Sequence, residues 1–359
     1  MKITWVLPQN YDTPIGGYKI VYQYANYLSS IGHHVRIIFL KNPVYAKHSK
    51  LYQYARELYW KTFNKSPFRK EVTWFNISSN IEIDWNISSD IITFDQDEKV
   101  IATAYWTADV VNEANIPFLN KFYFIQDYEI FSGTINDVDN TWKFPLNKFA
   151  VSSWLSDLGK TKFGENVKFI PNFLDLSDNF HVTNDVSNRG NVIALLNHPN
   201  ERKNTKLGLD IINLVREKNP KVNVKLFGTE DFDNDNYNYI EYFKRPSRKQ
   251  LRDNIYNQSM IYLLPSEYEG WGLTAMEAMA SGDIVISNDN GGVNDFIKND
   301  VNGFIMDFNE KNLVVDKIIE IFKQPNYELA KDATKITNNF SVARSSNKLI
   351  DFLSNVKFD

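Results

Sequence analysis

At 359 residues the chain is too long for one ordinary hydrophobic core, and about 150 residues per domain makes two domains the expectation. A formal charge of -4 gives no reason to expect nucleic acid, and the absence of cysteine excludes both a disulfide framework and a thiolate metal site. No run reaches the about 18 apolar residues of a membrane span, and the opening Met1 to Leu7 stretch is broken at Pro8, against a secretory leader. A soluble, cytoplasmic chain is expected.

Strand-like and helix-like segments alternate from the start, which predicts α/β architecture with parallel sheets. Lys2 to Leu7 reads as a strand, Gly17 to Ser30 as a helix with Ile20, Val21, Tyr24 and Leu28 on its apolar face, and Val35 to Leu40 as a second strand. Further strands are expected at Ile91 to Phe94, Val100 to Ala104, Phe122 to Ile125, Lys148 to Val151 and Lys168 to Ile170. Asp, Asn, Ser, Pro and Gly then crowd residues 171 to 190, a linker composition. Alternation restarts with strands at Asn191 to Leu196, Val222 to Phe227, Met260 to Pro265, Ile284 to Ser287 and Gly303 to Met306. Helices are expected at Thr205 to Glu217, Arg248 to Asn257, Leu273 to Ala280 and Val293 to Phe296. The expected division is a first domain over 1–172, a linker over 173–190 and a second domain over 191–336. A C-terminal helix over about 337–359 packs back on the first domain, and a cleft lies between the halves.

The most informative stretch is Glu269-Gly-Trp-Gly-Leu-Thr-Ala-Met-Glu277, directly after a strand. Its glycines let backbone approach a ligand, and the free amides of the helix starting at Leu273 favour an anion such as a diphosphate. One carboxylate precedes the helix and the other lies about one turn inside it. That spacing suits hydroxyls on two parts of one long ligand, a nucleotide sugar.

The wider segment LLPSEYEGWGLTAMEAMASGDIVISNDNGG, Leu263 to Gly292, resembles the signature of GT-B glycosyltransferases of family 4, retaining enzymes in which seven residues separate two glutamates. The resemblance extends to Gly16-Gly17 after the first strand. More weakly, ATAYWTA (Ala102 to Ala108) and YFIQDYEIF (Tyr123 to Phe131) look like segments of bacterial rhamnosyltransferase-like members. It implies a GT-B fold of two Rossmann-like, doubly wound domains and transfer of a sugar, rhamnose from dTDP or a hexose from UDP, to a saccharide or lipid-linked saccharide acceptor of a cell-surface polysaccharide. Neither cofactor nor metal is implied.

On the same resemblance, Glu277 would hold the ribose hydroxyls and Glu269 would orient the donor sugar at the reaction centre. Gly270, Trp271, Gly272, Leu273 and Thr274 would offer amides to sugar and phosphates, with the Trp271 side chain equally readable as packing. Gly16 and Gly17 would approach the diphosphate from the first domain. The family places an Arg and a Lys after the first strand of the second domain, where this chain has adjacent Arg202 and Lys203. His198 falls near the usual arginine position, so which of the three meets the diphosphate stays open; Lys244 and Arg245 are second choices. Trp106, Thr107, Gln126, Asp127 and Glu129 would line the acceptor side, Asp127 as the catalytic candidate because alternation on a strand would point it and Glu129 to opposite faces.

Residues 41–70 interleave lysines and arginines with tyrosines, leucines and Trp60, a composition suited either to an anionic membrane surface or to an ordinary helix. The first reading adds a peripheral attachment to the inner face of the cell membrane. The five histidines do not fall at helix-ligand spacing, so no metal site is expected. A GT-B nucleotide-sugar epimerase and a catalytically silent nucleotide-sugar-binding partner of another transferase are the alternatives.

Overall fold

The computed structural model describes residues 1–41, 69–233 and 237–356. The basic and aromatic stretch from Lys47 to Lys65 therefore lies outside the described residues. By contacts the chain divides into two units, Met1–Asn172 with Val342–Asp359, and Phe173–Ser341.

The first unit holds β1 (Lys2–Leu7), β2 (His34–Leu40), β3 (Glu82–Ile87), β4 (Lys99–Ala102), β5 (Lys121–Ile125), β6 (Asn147–Ala150) and β7 (Val167–Phe169). They form one parallel sheet in the order β3-β2-β1-β4-β5-β6-β7. Central β1 is buried from Ile3 to Leu7, as a strand covered on both faces must be, and so reads as a continuous apolar run. Helix α1 (Gly16–Ser30) buries the predicted Ile20, Val21, Tyr24 and Leu28, and also Tyr18 and Tyr22. Helices α2 (Tyr105–Glu113) and α3 (Ile135–Trp142) follow β4 and β5.

The second unit repeats the plan with β8 (Val192–Asn197), β9 (Asn223–Gly228), β10 (Ile240–Lys244), β11 (Ile261–Leu264), β12 (Ile284–Asn288) and β13 (Phe304–Met306), all parallel, in the order β10-β9-β8-β11-β12-β13. Helix α4 (Thr205–Lys218) follows β8 and α5 (Leu273–Ala280) follows β11. The closing helix α6 (Val342–Asn355) belongs to the first unit: Ser345 Oγ donates to the Pro171 carbonyl at 2.7 Å, and Phe352 sets its edge on Phe122 and Phe149.

Three expectations change. Ile91 to Phe94 is not a strand; Ser89–Ile91 makes one tight helical turn and Ile91 is 66% exposed. The edge strand is β3 instead, partly exposed along its length, and its Glu, Asp and Asn hid it from an apolar-run reading. Arg248 to Asn257 begins as a helix capped by Ser247 and Gln250, then widens and tightens its winding through to Gln258.

Residues 173–190 belong to the second unit. The side chains of Asp175 and Asp185 cap short turns at Leu176–Asp178 and Val186–Asn188. Arg189 is wholly buried there: it donates to Asp283 Oδ1 at 2.8 Å and to the carbonyls of Asn184, Tyr256, Ser259 and Ser281.

Candidate active site

In each sheet the strand order reverses beside its first strand, between β1 and β4 and between β8 and β11. At such a switch point the loops leaving the carboxyl ends of neighbouring strands part and leave a crevice, the usual ligand site of open α/β sheets. Gly16 and Gly17 follow β1 and Trp106 and Thr107 follow β4, while His198, Arg202 and Lys203 follow β8 and Glu269 to Glu277 follow β11; Gln126 to Glu129 follow β5, and Lys244 and Arg245 stand at the end of β10.

In the second unit the loop from Pro265 to Gly272 runs between the loops that follow β8 and β12. Glu267 N–H donates to the Arg202 carbonyl at 2.8 Å on one side, and Glu269 N–H to the Asn290 carbonyl at 3.0 Å on the other. Glu269 and Gly291 form a parallel bridge. A Cβ at Gly292 would come within 2.7 Å of the Glu269 carbonyl and 2.8 Å of the Trp271 backbone, so only glycine lets the loops close. Gly272, at φ 96°, turns the chain into α5, whose first amides, those of Leu273 and Thr274, have no carbonyl a turn behind them.

The Glu269 side chain, 9% exposed, is gripped at its carboxylate by Lys203, whose Nζ lies 2.7 Å from Oε1 and 2.8 Å from Oε2. Lys203 turns its ammonium to the motif, and the Arg202 carbonyl supports the loop. Both sit on a turn (Glu201–Lys203) capped by Asn200, whose side chain accepts the Arg202 N–H at 3.1 Å. His198 stands at the start of the same loop, and its Nδ1 accepts the Asn200 N–H at 3.0 Å. Burial, reinforced by Lys203 and Arg202 against Glu269 and Glu230, lowers its pKa below the usual imidazole range.

Glu277 lies one turn into α5 and is buried, so it is not the solvated helix glutamate its surroundings in sequence would allow. Tyr256 donates its phenol to Glu277 Oε2 at 3.3 Å, and burial with the Glu277 charge keeps that phenol protonated. Sequence reasoning missed Tyr256, which carries no motif and reads as core. The Trp271 side chain is core: Nε1 donates to Met276 Sδ at 2.7 Å and the ring packs on Phe296 and Phe340. Thr274 Oγ1 accepts from Tyr262 at 2.8 Å. Lys244 pairs with Asp231 at the surface, and Arg245, after β10, donates to the Thr229 carbonyl, after β9.

In the first unit Gly16 and Gly17 open α1, and the Gln126 amide lies 3.2 Å from where a Gly17 Cβ would sit. The segment carrying Asp127 and Glu129 is not a strand, since β5 stops at Ile125, so the alternation argument fails. The chain turns instead, Asp127 Oδ1 accepting the Tyr128 N–H at 2.8 Å. Glu129 reaches back to the start of α2 and accepts the Tyr105 N–H at 2.5 Å, supplying the cap that Ala104 lacks. Its charge also bears on the phenols of Tyr18, Tyr105 and Tyr123.

Thr107 is buried rather than facing an acceptor. Its hydroxyl accepts the Thr103 and Ala104 amides and donates to the Ala104 carbonyl, a structural cap. Trp106 lines a cavity of about 580 Å³ between α2 and α3, with Asp109, Glu113 and Asp137.

Burial pushes the Glu129 pKa up to about 8, with Asp127 adding to the rise and the Tyr105 amide opposing it. The folded protein then binds a proton that the unfolded chain has released above about pH 4.3, so Glu129 makes stability fall as pH rises, until it is ionised in both states above about 8. Melting curves of Glu129→Gln should lack this part of the alkaline decline. An unchanged pH profile would show that Glu129 is ionised at neutral pH.

Two parallel-sheet α/β units, each with its candidate residues at a switch point, define the GT-B fold, and solved structures agree. Sucrose-phosphate synthase from Thermosynechococcus elongatus superimposes with a TM-score of 0.74 at 13% identity, covering 98% of both chains. Anabaena HepE, solved with UDP and glucose, gives 0.71 at 16% identity over 99% of this chain and 100% of that one. The profile of the family described as "Glycosyl transferases group 1" matches residues 176–340, nearly all of the second unit and somewhat under half of the chain. The UDP-Gal:alpha-D-GlcNAc-diphosphoundecaprenol alpha-1,3-galactosyltransferase of Escherichia coli is 30% identical over 101 residues, 27% of this chain and 26% of that protein. The matched stretch thus spans about a quarter of that relative's length.

Proposed function

We propose that the protein is a glycosyltransferase that moves a sugar from a nucleotide-diphosphate donor to a saccharide acceptor with retention at the anomeric carbon. The observation that carries this reading is the grip of Lys203 on Glu269 at the N-terminus of α5, with Glu277 buried one turn further on. A cation, a helix start and two separated carboxylates are what a diphosphate flanked by a sugar and a ribose requires. The family profile over the second unit and the galactosyltransferase relative support the same class.

In this mechanism the diphosphate lies against the first amides of α5 and Lys203, which take up charge as the bond from the anomeric carbon to phosphate oxygen breaks. The acceptor hydroxyl adds to that carbon on the face being vacated, and its proton passes to the departing phosphate oxygen, so no protein nucleophile and no metal is invoked. Glu269 orients the sugar, Glu277 the ribose, and Gln126, Asp127 and Glu129 of the first unit serve the acceptor. dTDP-rhamnose and the UDP-hexoses are the donors in view, in the synthesis of a bacterial cell-surface polysaccharide or glycoconjugate.

Thermal unfolding with UDP, dTDP, GDP and their sugars tests the donor class. Ligand at about 100 times its Kd adds about 2.7 kcal/mol, so UDP or dTDP compounds should raise Tm selectively. A panel with no effect at millimolar concentration would refute the reading.

A further inference from the structure

We infer that the second unit carries a further binding site, for an uncharged oligosaccharide, in a cavity of about 360 Å³ at the edge of its sheet where the strands start. Its chemistry is read from the cavity alone, and its role, retention of a growing glycan, rests on the glycosyltransferase reading.

The first residues of β8, β9 and β10, three neighbouring strands, line this cavity, whereas Lys203 and Glu269 follow the opposite ends of β8 and β11. Strand β8 is six residues long, and a rise of about 3.3 Å per residue sets the cavity about 17 Å from the loop bearing Lys203. It is no part of the donor site. A glycan held there stays at a millimolar effective concentration near the transfer site, provided it is long enough to reach both.

The lining selects against a charged ligand. Arg189 contributes to the wall, but its guanidinium is fully buried and donates to Asp283 and to the carbonyls of Asn184, Tyr256, Ser259 and Ser281. Lys225 and Glu241, directly opposite each other on β9 and β10, form an ion pair. What remains to meet a ligand is uncharged. The amides of Asn188, Asn223 and Asn238 are exposed and make no side-chain hydrogen bond among the described residues, and Gln258 engages only its Nε2, at the Asp253 carbonyl 3.1 Å away. A carboxamide both donates and accepts, as a sugar hydroxyl does. Tyr239 adds the apolar surface that the C–H face of a sugar ring requires. Its ring is fixed before any ligand arrives: the Arg216 guanidinium lies 3.8 Å from the centroid, and the phenol donates to Asn213 Oδ1 at 2.6 Å. Such prior ordering lowers the entropy cost of binding.

The experiment is hydrogen exchange of the full chain with millimolar tetrasaccharides of glucose, galactose or rhamnose, and with 3′-sialyllactose as the charged control, in wild type and in Asn223→Ala with Asn238→Ala. At least one uncharged tetrasaccharide should slow exchange about three- to tenfold at 184–192, 223–225 and 238–241. The double variant should lose that protection and keep its melting temperature, and sialyllactose should give none. In sugar transfer, the variant's KM should rise about three- to tenfold for a long acceptor and stay unchanged for a disaccharide too short to span the sites. No protection of these segments by any uncharged sugar, protection that survives in the variant, or equal protection by sialyllactose would overturn the site. An unmoved KM for long acceptors would overturn the retention. Protection by sugar in a chain that binds no nucleotide sugar would uphold the site and overturn the transferase reading beneath its role.

Discussion

Glu269→Ala should lower sugar transfer by about 10²- to 10³-fold, the loss typical of removing one preorganised polar group at a reacting centre. The melting temperature should move little. Lys203 is 21% exposed, so its ammonium can turn to water once the carboxylate is gone, and the lost pair costs closer to an exposed ion pair than to a buried one, about 1 kcal/mol. The fall should appear in kcat more than in KM, because the diphosphate keeps the α5 amides and Lys203. Lys203→Met should behave differently, weakening donor binding and freeing Glu269 together. The two changes combined should cost less than their sum, since the residues act as one unit. Steady-state kinetics with a donor and an acceptor pool measures this, and wild-type turnover in Glu269→Ala would remove Glu269 from the mechanism.

Arg189→Met should destabilise the second unit by about 3 to 5 kcal/mol, enough to unfold a marginal domain at growth temperature. Asp283 is fully buried, its Oδ2 has no partner among the described residues, and Arg189 holds Oδ1. Burial already pushes the Asp283 pKa well up, and the guanidinium is what opposes the rise. Without it the folded state must protonate Asp283, so the loss should deepen as pH climbs above about 3.9, the unfolded value. Arg189→Met with Asp283→Leu should recover part of the stability and none of the carbonyl contacts that Arg189 makes to Asn184, Tyr256, Ser259 and Ser281. Chemical denaturation at two pH values reads both effects. Equal losses for the single and double variants would show that the carbonyl contacts, not the buried charge, dominate.

Elements buried on both sides were the legible ones. β1 and α5 match their expected bounds because few polar residues interrupt their apolar runs, and α1 falls within a residue of its own because its buried face recurs at helical spacing. The edge strands β3 and β10 escaped notice because half their side chains meet water. Composition misled at 173–190, where turn-forming Asp and Asn read as a linker although Arg189 sinks into the second unit. In the site, the glycines and two glutamates announced themselves by spacing. Their partners did not: the grip of Lys203 and the phenol of Tyr256 join residues 66 and 21 positions apart, distances at which sequence carries no pattern. Thr107 and the Asp127 to Glu129 turn were misplaced because sequence does not mark where a strand stops.

The fit of Gly292 beneath Glu269 and Trp271 has a consequence for redesign. The loop bearing the carboxylate is wedged against the turn after β12, and Trp271 roots it in the core through Met276, Phe296 and Phe340. A library randomised over 269–272 and 290–292 would return mostly misfolded proteins. Variants that accept a new donor should instead carry their changes at exposed Glu230, in the loop after β9, where a side chain can change size more freely.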